Sequence, residues 1–227
     1  MTRVEVREKV LNENERLARE LRNAFRQDGI YCANFISSPG AGKTLLLERT
    51  LASFTPDKRV AVLTGDIQTD NDATRLARYG FPVRQITTGG ACHLDALMVE
   101  RALEGWDLAS LDLLFIENVG NLVCPASYDL GEHDKIVILS TTEGEDKPLK
   151  YPATFSRAGL VILNKIDLLP YVTFDVTLAR ENIRKANPSA EILEVSATTG
   201  AGFAQWEQWL ERRRAGCLQT EPALVSI

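Results

Sequence analysis

Histidine is scarce in this sequence of 227 residues, with only His93 and His133, and cysteine is limited to Cys32, Cys92, Cys124 and Cys217. A chain of this size in a reducing compartment needs no disulfides, so its cysteines are core filler or ligands. No apolar run approaches the roughly 20 residues that cross a bilayer. The opening Met1-Thr2-Arg3-Val4-Glu5 lacks the apolar stretch of a secretory signal. Net positive charge is missing too: the formal charge is −5 and the pI about 5.2. That balance speaks against nucleic acid or an anionic membrane as partner, because both need a basic face. The expectation is a soluble, cytoplasmic protein. Its basic cluster Arg212, Arg213 and Arg214 reads as the solvated end of a last helix.

What is present suits a full core: 44% of residues are hydrophobic and 25% charged. Leu17, Leu21, Ala24 and Phe25 at helical spacing predict an amphipathic N-terminal helix within residues 1–29, ended by Gly29. Beyond it lie the apolar runs Tyr31–Ser37, Val60–Leu63, Val83–Ile86, Leu111–Ile116, Ile136–Ser140, Leu160–Leu163 and Ile192–Val195. Helical patterns at Thr44–Phe54, Asp70–Tyr79, Leu94–Leu103, Phe174–Ala186 and Phe203–Arg213 alternate with them. Near-continuous runs are strands covered on both faces. Their alternation with helices predicts an α/β fold with a doubly wound, mostly parallel sheet. No repeat or linker divides the chain, so one domain over residues 30–215 is expected, with a tail at 216–227.

Ser37-Ser38-Pro39-Gly40-Ala41-Gly42-Lys43-Thr44 follows the first strand and opens a helix, the setting of a Walker A phosphate loop. Gly40, Ala41 and Gly42 let backbone N–H groups turn toward phosphate, and the helix N-terminus adds partial positive charge. Lys43 reaches the terminal phosphates, and the Thr44 hydroxyl suits Mg²⁺. Ser37 stands where the motif has its first glycine, which an extended backbone tolerates. Asn164-Lys165-Ile166-Asp167 after a later strand has the Asn-Lys-x-Asp pattern of GTPases. The Asp167 carboxylate can accept both guanine N1–H and the 2-amino group, and adenine would leave it unpaired at a cost of about 1–3 kcal/mol. Lys165 would lay its stem along the base and Asn164 tie this loop to the phosphate loop, and Ser196-Ala197 resembles the further GTPase loop whose backbone N–H meets the guanine oxygen. GTP or GDP is therefore the expected nucleotide.

Leu111–Ile116 runs into Glu117-Asn118-Val119-Gly120, where most GTPases lead with aspartate. The longer Glu117 suits Mg²⁺ through a water, or orientation of the attacking water; Gly120 can sense the γ-phosphate. Asp66, ending another strand, is a second magnesium-shell or water-positioning carboxylate, or a plain turn residue. Lys43, Asp66 and Glu117 form the expected catalytic set, with Thr44, Asp66 and Glu117 around Mg²⁺. Asp70 and Asp72 read as helix N-terminal residues, and His133 as a solvated loop residue.

Three strings carry a family likeness: Gly89-Gly90-Ala91-Cys92-His93-Leu94-Asp95-Ala96, Leu113 through Pro125, and Glu143-Gly144-Glu145-Asp146-Lys147-Pro148-Leu149-Lys150-Tyr151. They resemble HypB, the nickel-insertion GTPase of NiFe-hydrogenase maturation, a P-loop GTPase of the SIMIBI class. The likeness spans nearly everything from Ile30 to Leu210. It implies that Cys92, His93 and Cys124 bind Ni²⁺ or Zn²⁺ and that the chain forms a GTP-dependent homodimer with this site at the subunit contact. It also implies two partners, a HypA-type nickel accessory protein and the hydrogenase large subunit precursor. Without the likeness, Cys92 and Cys124 read as apolar filler, the usual lot of free cysteines. Cys32 and Cys217 keep that reading.

Two thiolates and an imidazole suit nickel or zinc. Adjacent residues diverge by about 100° within a helix, so Cys92 and His93 can share an ion only in a loop or at a helix start; otherwise they serve separate subunits. Some members of the family carry Cys- or His-rich N-terminal segments, whereas the first 31 residues here hold neither residue type, so only the G-domain site is expected. Arg75 and Arg157 have no evident role, no arginine finger is visible, and slow hydrolysis is expected. Two other readings fit the same motifs: a GTP-switched interaction module without metal, and a sister GTPase serving a different metal centre.

Overall fold

The computed structural model describes residues 3–68 and 70–219. In chain order the elements are α1 (Arg3–Gln27), β1 (Tyr31–Ser37), α2 (Lys43–Ser53), β2 (Val60–Asp66), α3 (Asn71–Ala77) and β3 (Val83–Thr87). There follow α4 (Ala96–Leu103), β4 (Leu113–Glu117), β5 (Asp134–Ser140), α5 (Lys147–Lys150), α6 (Pro152–Phe155), β6 (Ala158–Asn164), α7 (Val176–Ala186), β7 (Glu191–Val195) and α8 (Phe203–Gln219). The seven strands form one sheet in the order β3-β2-β4-β1-β5-β6-β7, and every pairing is parallel. The predicted doubly wound α/β architecture is what forms.

Strand β1 shows why its residues had to be a buried strand, since all seven are buried. Tyr31, Ala33 and Phe35 face one side, packing with Leu46, Leu47 and Leu51 of α2 and Trp206, Trp209 and Leu210 of α8. Cys32 faces the other side, with Leu17, Ala18, Leu21 and Phe25 of α1 and Val99 and Leu103 of α4. Farther along that face, Phe155 of α6 and Ala179 and Ile183 of α7 cover β5 and β6. The two-residue period of a strand thus feeds two separate layers of helix.

The register brings the carboxyl ends of the central strands together. Phe35 and Thr64 both stand level with Glu117, and Asp66 with Thr87. Because β4 and β5 flank β1 on opposite sides, a crevice opens at its carboxyl end, where open parallel sheets take ligands.

Several expectations need correction. Helix α4 starts at Ala96, not Leu94, because Asp95 is the N-cap and accepts from Met98 N at 2.8 Å. Asp70 holds the N-cap position of α3 but makes no side-chain cap bond. Of the α8 arginines, Arg212 and Arg213 are exposed as expected and Arg214 is half-buried. Arg213 reaches Asp134 through Nε and Nη2 at 2.8 and 2.9 Å, and Arg214 pairs with Asp112 at 2.9 Å. Helix α8 runs to Gln219, beyond the helical pattern expected to end at Arg213; residues 220–227 lie outside the described set. His133 is half-buried, not solvated: its Nδ1 accepts from Cys32 N at 3.1 Å. Its ring tilts against Tyr31, and burial brings its pKa down to about 4. The short helices α5 and α6 formed no part of the sequence-based expectation. Among the described residues, no helix is long and apolar enough to cross a membrane.

Candidate functional site

The phosphate loop leaves β1 at Ser37, whose extended strand backbone accommodates serine in place of glycine. Gly40 and Gly42 have φ of 76° and 98°, left-handed values that a side chain would strain. A Cβ on Gly42 would also lie 2.5 Å from Asn164 Nδ2, so this glycine lets two loops meet. Asn164 donates to Ala41 O at 2.9 Å and accepts from Ala197 N at 3.2 Å. Lys165 has φ of 64°, a sparsely populated conformation for a side chain of its kind. Its carbonyl accepts from Thr141 Oγ1 at 2.8 Å and its Nζ reaches Gly40 O at 2.7 Å. Ser196 Oγ donates to Asp167 Oδ1 at 2.6 Å. Asn164, Lys165, Asp167, Ser196 and Ala197 thus come together beside the phosphate loop. The Ala197 N–H is already engaged by Asn164.

Above the loop lies a cavity of about 460 Å³, lined among others by Lys43, Thr44, Asp66, Asp72, Glu117 and Gly120. Lys43 is buried, donates to Ser37 Oγ at 3.2 Å, and is pushed by burial below the ordinary lysine range. Thr44 Oγ1 donates to Glu117 Oε1 at 2.7 Å. Glu117 is 2% exposed, and its Oε2 lacks a hydrogen-bond partner among the described residues. Burial raises its carboxyl to about 7, with Lys43 pulling the other way. An orphaned carboxylate oxygen beside a threonine hydroxyl is a donor set suited to a hard cation. Asp66 is half-buried in the wall and accepts from Gln68 N at 2.9 Å. Asp72 also reaches this wall, beyond its expected helix-end role. Arg75 lines the same wall, held by Glu48 at 3.1 and 2.6 Å. Arg157 lies elsewhere, donating to Ala126 O.

The thiol–imidazole cluster is assembled by two loops. Cys92 and His93 lie ahead of α4, and Cys124 opens a 3₁₀ turn at Cys124–Ser127. One ligand atom from each of Cys92, His93 and Cys124 lies within 4.8 Å of the others. The Cys92–Cys124 sulfur separation is 2.8 Å, and Cys92 Sγ lies 3.9 Å from His93 Nδ1. The Cys124 thiol, with burial, raises the Cys92 pKa; burial lowers that of His93, favouring its neutral, ligand-competent form. Cys32 is buried filler.

Sequence reasoning missed the residues that hold these loops. The His93 ring stacks on Tyr128 at 3.9 Å. Asn121 Nδ2 donates to Cys92 O at 3.2 Å. Asn118, next to Glu117, accepts from Leu94 N at 3.2 Å and donates to Asn34 Oδ1 at 3.2 Å. Its signal was a buried asparagine at the end of an apolar strand.

Comparison with known proteins places this arrangement. The model of the CobW/HypB/UreG nucleotide-binding domain matches residues 33–194. Hydrogenase maturation factor HypB from Escherichia coli strain K12 is 51% identical over 211 residues, covering 93% of this chain and 73% of that protein. The chain belongs to the HypB family. HypB from Azotobacter chroococcum is 48% identical over 216 residues, covering 95% of this chain and 71% of its own length. The crystal structure of HypB from Helicobacter pylori in complex with nickel superposes with a TM-score of 0.84 at 42% identity, covering 92% of this chain and 99% of that one. The HypB-type nucleotide-binding domain therefore runs through the phosphate loop, both cluster loops and the Asn164–Asp167 segment.

Proposed function

We propose that this chain is a GTP-hydrolysing metallochaperone that delivers nickel during NiFe-hydrogenase maturation, with the nucleotide state gating the cluster. The observation that carries this reading is the convergence of Cys92, His93 and Cys124 within 4.8 Å at the end of the segment that leaves the phosphate cavity at Glu117. Nickel bound to a HypB of 42% identity supports nickel as cargo; zinc suits the same donors.

GTP lies with its phosphates on Gly40, Ala41 and Gly42 and its guanine against Asp167, which Ser196 orients. Lys43 neutralises the terminal phosphate charge, and Gly120, packed against Pro39, answers to the γ-phosphate. Thr44, Asp66 and Glu117 would hold magnesium, which when bound supplies positive charge against phosphate oxygens. Hydrolysis is slow: Arg75, the one arginine of the described cavity lining, is committed to Glu48. Loss of the γ-phosphate relaxes the Glu117–Cys124 segment. That changes the position of Cys124 directly, and of Cys92 and His93 through the Asn118 bond to Leu94.

Three donors leave a four-coordinate ion one ligand short, which supports a GTP-dependent homodimer meeting at the cluster. Val123, 61% exposed beside Cys124, adds apolar surface there. Nickel then passes, in the cytoplasm, to a HypA-type accessory protein and the hydrogenase large subunit precursor. The test is equilibrium Ni²⁺ binding to wild type and Cys92→Ala. The variant should lose the G-domain nickel, and an unchanged metal-to-protein ratio would remove the metallochaperone reading.

A further inference from the structure

Helix α1 packs on β1 and α4, and one of its side chains reaches both loops of the cluster. Asn14 is 6% exposed. Its Oδ1 accepts from Ala96 N at 2.8 Å, and its Nδ2 donates to Asp129 O at 2.9 Å. Ala96 is the first residue of α4, three beyond His93, and its N–H is one that the helix cannot satisfy internally. Asp129 follows Tyr128, on which His93 stacks. Among the described residues, Asn14 is the one side chain outside these two loops and the intervening Glu117–Val119 stretch that hydrogen-bonds both.

The placement of Asn14 is itself constrained. It sits on the apolar stripe of α1, one turn before Leu17 and Ala18 and two before Leu21, all buried against the sheet. Gly131, at φ of 83°, lets the helix come so close that a Cβ there would lie 2.7 Å from Leu21 Cβ and 3.0 Å from Ala18 O. Arg22 adds a bond from the same helix to Asp129 and another to Glu132 O at 3.2 Å. The helix is thus seated on the loop that follows Cys124, with its one buried amide spanning the gap to the loop that carries Cys92 and His93.

We infer that Asn14 is a positioning residue of the metal site: it fixes the spacing between the Cys92–His93 loop and the Cys124 loop. This rests on the metal-site reading above. Groups that orient metal ligands through hydrogen bonds change affinity when removed, by about 10- to 100-fold. Truncating Asn14 leaves the Ala96 N–H and the Asp129 carbonyl without this partner, so the two loops lose their common brace while the ligands stay intact. The nucleotide cavity, which Asn14 does not line, is untouched.

The experiment titrates Ni²⁺ into the full-length, GDP-bound protein and reads the thiolate-to-nickel charge-transfer absorption, with GDP affinity measured alongside. Asn14→Ala should bind Ni²⁺ about tenfold or more weakly with GDP affinity unchanged. The unchanged GDP affinity separates positioning from general loss of structure. Should Asn14→Ala fail to bind GDP, Asn14→Asp decides: it keeps the acceptor for Ala96 but sets an oxygen against the Asp129 carbonyl, and it should also weaken Ni²⁺. Wild-type Ni²⁺ affinity in a GDP-binding Asn14 variant overturns the inference. Absence of the charge-transfer band in the wild type sinks the metal-site reading, and this inference with it.

Discussion

At its Glu117 end the segment Glu117–Cys124 is held by the sheet; at its Cys124 end it is held by side chains. Glu117 stands in register with Phe35 and Thr64, and the loop facing it is shaped by left-handed glycines at 40 and 42. Side-chain bonds from Thr44 to Glu117 and from Asn164 and Lys165 to the phosphate loop add to a backbone that strand register and glycine conformation already shape. Cys124 lies on a 3₁₀ turn whose neighbours are pinned by Asn121, Lys135, Arg157 and Asn14. A strand end is a stiff mount, and a loop braced by single hydrogen bonds is an adjustable one. The difference suits a device in which phosphate must be gripped the same way each cycle while a metal is held and then let go.

The comparison can be broken most forcefully on its rigid side. Asp167→Asn should shift preference from GTP toward xanthosine triphosphate by about 1–3 kcal/mol, roughly 5- to 150-fold, measured by competition binding. Ni²⁺ affinity should stay as in wild type, because Asp167 contacts Ser196 and not the cluster loops. Unchanged GTP affinity would remove Asp167 from the base site.

A smaller effect sharpens the boundary between the two sides. His133 accepts the Cys32 N–H of β1 and lies at the end of the loop on which α1 is seated. Burial lowers its pKa to about 4, and Arg26, Arg22 and Arg213 add to the shift against Asp134. A depressed histidine favours the neutral form in the fold. Its contribution is therefore complete above about pH 6.5 and is lost as the pH falls toward 4. Denaturant unfolding across that window should show a loss on the order of 2 kcal/mol that is much reduced in His133→Gln. Equal slopes in the two proteins would place the acid sensitivity elsewhere.

The same contrast explains what could be read from the sequence. The sheet, the phosphate loop and the Asn164–Asp167 turn were legible because each depends on residues close in the chain, with alternation and glycine placement as the signal. The cluster was legible only through family likeness; spacing alone left Cys92 and Cys124 as filler. Asn14 and Tyr128 carried no local signal of their task, since their partners lie far off in sequence. A polar residue on the apolar face of α1 was the one hint. Arg214 and His133 differ from expectation for a related reason, because their partners Asp112, just ahead of β4, and Cys32 of β1 lie in no window around them.

The central claim is that the phosphate cavity and the sulfur cluster share one moving segment. It is tested most directly by measuring Ni²⁺ affinity and metal-to-protein ratio in two states, with GDP and with a non-hydrolysable GTP analogue. The account predicts that affinity or stoichiometry differs between the two nucleotides and that the difference vanishes in Cys124→Ala. The same nickel binding with either nucleotide would contradict it.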